Sequence, residues 1–68
     1  SRGIQGGGLM QTYIDGILKI WFQGISTSRN IPNVDTLTIE NDMAIIKTKE
    51  DNYYYINMRN VNLIEEVD

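Results

Sequence analysis

The chain contains neither cysteine nor histidine. Without cysteine no disulfide can form, and without both residues a Cys/His zinc centre is excluded. The Ser–His and Cys–His pairs of nucleophilic catalysis are excluded with them. Any acid–base chemistry would rest on carboxylates, Lys or Tyr, and no spacing in the sequence makes these converge. Glu65 and Glu66 are neighbours, so in a strand they point to opposite faces and form no convergent dyad. No Asp-x-Asp-x-Asn-Gly calcium loop is present. Gly6–Gly8 lacks the following Lys-Ser/Thr of a phosphate loop. The sequence therefore predicts a protein that is not an enzyme and uses no cofactor or metal.

Long apolar runs are also missing. No segment approaches the roughly 20 apolar residues of a membrane helix, and no basic stretch leads into an apolar core as in a secretory signal. With the missing cysteines, this predicts a cytoplasmic protein, in a bacterial host. Positive charge is scarce: six Lys and Arg stand against nine Asp and Glu, for a net charge of −3. The five after residue 10, Lys19, Arg29, Lys47, Lys49 and Arg59, are scattered along the chain, which weighs against general phosphate-backbone binding. The acidic residues gather at Glu40/Asp42, Glu50/Asp51 and Glu65/Glu66/Asp68. They serve solubility or form an acidic face for a basic partner.

At 68 residues the chain holds one domain at most. Such a domain buries only about 60 % of the surface its unfolded chain exposes. Disulfides and zinc being excluded, self-association is the remaining source of stability, and a homodimer is expected.

What is present reads mainly as β structure. Residues 1–9, with the triple glycine, have no periodicity and read as a flexible leader or tag remnant; residues 10–68 read as one small β-rich domain. Gln5–Met10 can be encoded with a ribosome-binding AGGAGG shortly before an ATG, which makes Met10 a candidate start site. The abundance of Ile, Asn, Asp, Lys and Tyr fits an AT-rich gene, as in a low-GC Gram-positive bacterium or its phage.

Gln11–Ile25 supports two readings. As a helix over residues 12–24 it places Tyr13, Ile14, Ile17, Leu18, Trp21, Phe22 and Ile25 on one stripe. As a hairpin it turns at Asp15-Gly16, a strong type I′ signal. The hairpin is preferred, because Gly16 inside a helix costs about 1 kcal/mol and the segment is rich in β formers. Ser26–Val34, with turn residues and the single proline Pro32, reads as a loop. From Asp35 the rhythm is regular. A strand to Glu40, a turn at Asn41-Asp42, a strand Met43–Thr48, a turn at Lys49–Asn52, a strand Tyr53–Asn57, a turn over Asn57–Asn60 and a strand Val61–Val67 follow.

The fold expected is thus all-β, a small antiparallel β-meander of about five to six short strands. The alternative is α+β, with the 12–24 helix packed on a three- to four-stranded antiparallel sheet.

The candidate interface residues are Trp21, Phe22, Tyr53, Tyr54, Tyr55 and Arg59. In a strand, Trp21 and Phe22 point to opposite faces, and the outward ring suits a dimer contact. Of the three tyrosines, either Tyr54 or the Tyr53/Tyr55 pair faces outward as an interface anchor, the rest packing beside Ile56. Arg59 is placed to pair with a carboxylate.

The pattern from Asp35 to Glu66 (alternation, Asn-Asp turn, Ile-Ile strand, Tyr-Tyr-Ile-Asn, Leu-Ile-Glu-Glu) resembles small β-meander proteins of Gram-positive bacteria and their phages. In size and acidity the chain is similar to phage-encoded inhibitors of bacterial defence systems, the anti-Hachiman type among them. That resemblance implies a non-enzymatic protein that binds a host protein and occludes it. Two other functions fit the sequence: a nucleic-acid or nucleotide binder using the tyrosines with Lys47, Lys49 and Arg59, and a structural subunit of a larger assembly.

Overall fold

A computed structural model of the chain describes residues 9–67. It is all-β. Strands β1 (Leu9–Phe22), β2 (Ser28–Glu40), β3 (Met43–Thr48) and β4 (Tyr53–Asn57) are followed by a 3₁₀ turn at Met58–Asn60 and strand β5 (Val61–Val67). They form one antiparallel sheet in the order β4-β3-β2-β1-β5. The first four strands meander, and β5 then returns to pair with β1. Only the three residues of the 3₁₀ turn join β4, at one edge, to β5, at the other. The sheet therefore coils, and side chains from both edges reach one core.

The expected meander is present with five strands, and its last three strands and their turns fall where the sequence places them. The first two strands depart from expectation. Residues 12–24 are not a helix, and Asp15-Gly16 is not a hairpin turn: β1 runs through it for 14 residues. The helical stripe splits instead, with Ile14, Leu18 and Phe22 packed in or against the core and Tyr13 81 % exposed on the opposite face. At Asp15-Gly16 the pairing with β2 slips, from Tyr13↔Thr36 to Gly16↔Val34, and slips back before Leu18↔Ile31. A glycine that accommodates a bulge serves as well as one that makes a turn, and the 13-residue β2 offers β1 a ladder over its whole length.

The loop expected over Ser26–Val34 is likewise mostly strand. Only the turn before Ser28 is irregular, with Gly24 at φ +76. Ile31 and Val34 are buried at 1 % and 0 % exposure. Pro32 excludes helix but not extended backbone, and it stands at the compensating slip in β2, beside Asn33 at φ 55. Of the leader expected over residues 1–9, only Leu9 lies among the described residues, and it pairs with Glu40 as the first residue of β1.

The core is Ile14, Leu18, Ile20, Ile31, Val34, Ala44 and Ile46. Phe22, Leu37, Tyr54, Ile56, Val61 and Ile64 pack against this cluster. Ile45 and Ile46 point to opposite faces, as strand alternation requires: Ile46 is buried and Ile45 half-buried.

Candidate protein-interaction face

The pairing register determines what the outer face of the sheet carries. One cross-strand row reads Tyr55–Ile45–Thr38–Gln11, and the next reads Tyr53–Lys47–Thr36–Tyr13. Beyond them lies Asn57–Met43–Glu40–Leu9. Tyr13, Tyr55, Leu9, Tyr53 and Met43 are all exposed. These exposed aromatic and apolar side chains are interspersed with Gln11, Lys47, Glu40 and Asn57, the mixture of anchors and polar groups found at interaction sites.

The tyrosine triplet divides as alternation demands. Tyr54 turns inward against the core, with the Arg29 guanidinium 5.8 Å from its ring centre. Tyr53 and Tyr55 face outward, stacked with ring centres 6.5 Å apart and planes 17° apart. Each ring restricts the other, so less side-chain freedom is lost when a partner covers them. Beside Tyr55, the residues Glu40, Asn41, Asp42, Met43, Ile45, Asn57 and Arg59 line a shallow depression of about 380 Å³. Aromatic anchors beside an apolar-floored depression with a polar rim have the composition of an interface hot spot.

Trp21 and Phe22 point to opposite faces. Phe22 joins the core, and Trp21 donates its indole N–H to Glu65 Oε1 at 3.2 Å. Both are half-buried within one chain. Arg59 bonds Asp42 through Nε and Nη2, each 3.1 Å from Oδ2. The structure thus brings Tyr53, Tyr55 and Arg59 to one end of the outer face and sets Tyr54, Phe22 and Trp21 apart from it. Tyr13, Met43 and Ile45 belong to the face but escaped the sequence reading. Their alternation within β1 and β3 was visible, but which strands lie side by side was not.

The basic side chains near this face are engaged by carboxylates. Lys47 lies 3.2 Å from Asp35 and 3.3 Å from Asp51, and Lys49 is bonded to Asp15. The hydrogen bonds that Lys47 donates to Asp35 and Asp51 push its ammonium above its ordinary range. The bond from Lys49, with its charge, holds the Asp15 carboxyl below the ordinary range, and Lys49 is pushed up by the same contact. Among the described residues no cluster of Asp and Glu is arranged to hold a metal ion. No helix among the described residues is long and apolar enough to cross a membrane. No family model, curated protein or solved structure matches the chain.

Proposed function

We propose that the protein is a non-enzymatic interaction module that binds another protein through the outer face of its sheet. The observation that carries this reading is the exposed, mutually stacked Tyr53–Tyr55 pair on an apolar face beside the Asp42–Arg59 depression. The size and acidity shared with phage inhibitors of bacterial defence make a host defence protein the first partner to test. Occlusion of that partner is the mechanism such a surface supplies. The nucleic-acid reading is the weaker one. Lys47, Lys49 and Arg59, the cations it needs beside the tyrosines, each already hold a carboxylate, so phosphate contacts would have to displace them.

The test is a pull-down from a Gram-positive host, identification of the bound protein, and titration of that partner with variants. Tyr55→Ala and Ile45→Ser are expected to weaken binding at least ~30-fold, the loss of a hot-spot residue. Leu63→Ala, on β5, should leave affinity unchanged. Equal affinity for all three variants would overturn the reading. So would salt-sensitive binding of single-stranded oligonucleotides with no protein partner.

A further inference from the structure

The edge of β4 is a second, separate surface. Two main-chain hydrogen bonds bracket the β3–β4 ladder: Met58 N–H to Asp42 O at 2.7 Å and Thr48 N–H to Asn52 O at 2.9 Å. In an antiparallel pair, bonded and non-bonded positions alternate. With Ala44 opposite Ile56 and Ile46 opposite Tyr54, those two pairs carry the bonds between the brackets. The main-chain N–H and C=O groups of Tyr53 and Tyr55, and the N–H of Asn57, therefore point away from β3, out of the sheet edge. Edge strands in natural proteins are usually protected by charged side chains, proline or a bulge. β4 is Tyr-Tyr-Tyr-Ile-Asn: it has no charge and no proline, and its pairing with β3 is free of register shifts.

We propose that β4 pairs with β4 of a second copy, antiparallel about a two-fold axis at Tyr55. In this register Tyr55 faces Tyr55 of the second copy across a doubly hydrogen-bonded pair, and Tyr53 faces Asn57. Charge selects this occupant and this direction. The chain carries a net −3, yet the strand that meets its copy is neutral. Antiparallel pairing sets the Glu50–Asp51 end of each β4 beside the turn end of the other, where Arg59 and Asp42 offset one another, whereas parallel pairing would set the two acidic ends together. β5 would bring Glu65 and Glu66 of one copy against those of the other. The two outer faces become continuous, with the Tyr53/Tyr55 stacks side by side. The pairing stands on the main-chain geometry and charge of the edge, not on the outer face, so its failure would leave the partner-binding reading intact.

Sedimentation over a dilution series, with no partner present, reads the association directly. The wild-type chain should reach twice the monomer mass and go no further. Tyr55→Pro removes the outward N–H and the outward ring but no bond of the β3–β4 ladder, and should sediment as a folded monomer, with circular dichroism and Trp21 fluorescence as the check on folding. Tyr55→Lys places two like charges at the axis and should also be monomeric. Because the chain has no cysteine, Tyr55→Cys supplies a single reporter thiol. Hydrogen-bonded antiparallel partners sit about 5.5 Å apart at Cα, within disulfide reach, so mild oxidation should convert most of it to a covalent dimer. Leu63→Cys, on β5, should still form the β4 dimer but should not be cross-linked by the same oxidant. A wild-type monomer at every concentration, assemblies larger than two, a dimer persisting in folded Tyr55→Pro and Tyr55→Lys, or cross-linking through Leu63→Cys instead would each overturn the proposal.

Discussion

The two edge strands cover the same core with different chemistry. β4 sends Tyr54 and Ile56 inward, and β5 sends Val61 and Ile64. Their other faces diverge: β4 shows a stacked tyrosine pair and no charge, whereas β5 shows Leu63 with Glu65, Glu66 lying on the inward side with Ile64. Adjacent acidic side chains on β5 discourage another strand from adding there, and nothing on β4 does. In a sheet whose two edges are joined by one three-residue turn, the association-prone surface is thereby confined to one side.

The largest effects should come from the core that both edges share. Ile46→Ala beneath β4 and Ile20→Ala beneath β5 each remove a side chain at 0 % exposure, and each should cost about 2–5 kcal/mol in chemical denaturation. Both losses should appear in one cooperative transition; two separate transitions, with one edge melting first, would show that the edges do not share one core.

Next is the contrast inside β4. Tyr54→Pro deletes a bonded N–H and strands the partner carbonyl, at about 1–3 kcal/mol plus lost ring packing. It should therefore be much less stable than Tyr55→Pro. Similar stabilities would refute the assigned alternation.

On β5 the contrast is smaller. Ile64→Ala, on the inward face, should cost about 2 kcal/mol. Leu63→Ala, at 52 % exposure, should fall within about 0.5 kcal/mol of wild type.

The smallest effect is electrostatic. Asp15, whose carboxyl is held below its ordinary value of 3.8, contributes stability above that pH and loses it as the pH falls through its folded value. Lys47 and Lys49, raised above 10.5, contribute below that pH and lose it as the pH rises through their folded values. Asp15→Asn should flatten the acid limb of a melting-temperature profile only slightly, because these pairs are exposed and screened. A large change would place Asp15 in some further contact.

From Asp35 onward the strands were legible because each is short, alternates cleanly and ends in residues that tolerate turn geometry. Asn41 at φ 55 and Asp51 at φ 66 are where Asn and Asp suit a left-handed backbone. The face was half legible. Alternation separated Tyr54 from Tyr53 and Tyr55 but left open which set faced inward. That choice followed only once Ile56 and Ala44, then Tyr54 and Ile46, were paired over the core. Asp15-Gly16 misled because its turn chemistry is local, whereas the ladder with β2 that overrides it is not.

By itself the sequence determined what this protein lacks: disulfides, Cys/His metal centres and histidine- or cysteine-based catalysis, since these follow from residue identity alone. It also determined the period-2 patterning that makes the chain β. The tertiary structure decided which strands are neighbours, that β5 returns to β1, and hence which edge is left bare and which tyrosines are shown. Those outcomes depend on pairings between distant residues such as Ile20 and Ile64. Their hydrogen bonds and packing form only when the whole sheet closes on one core.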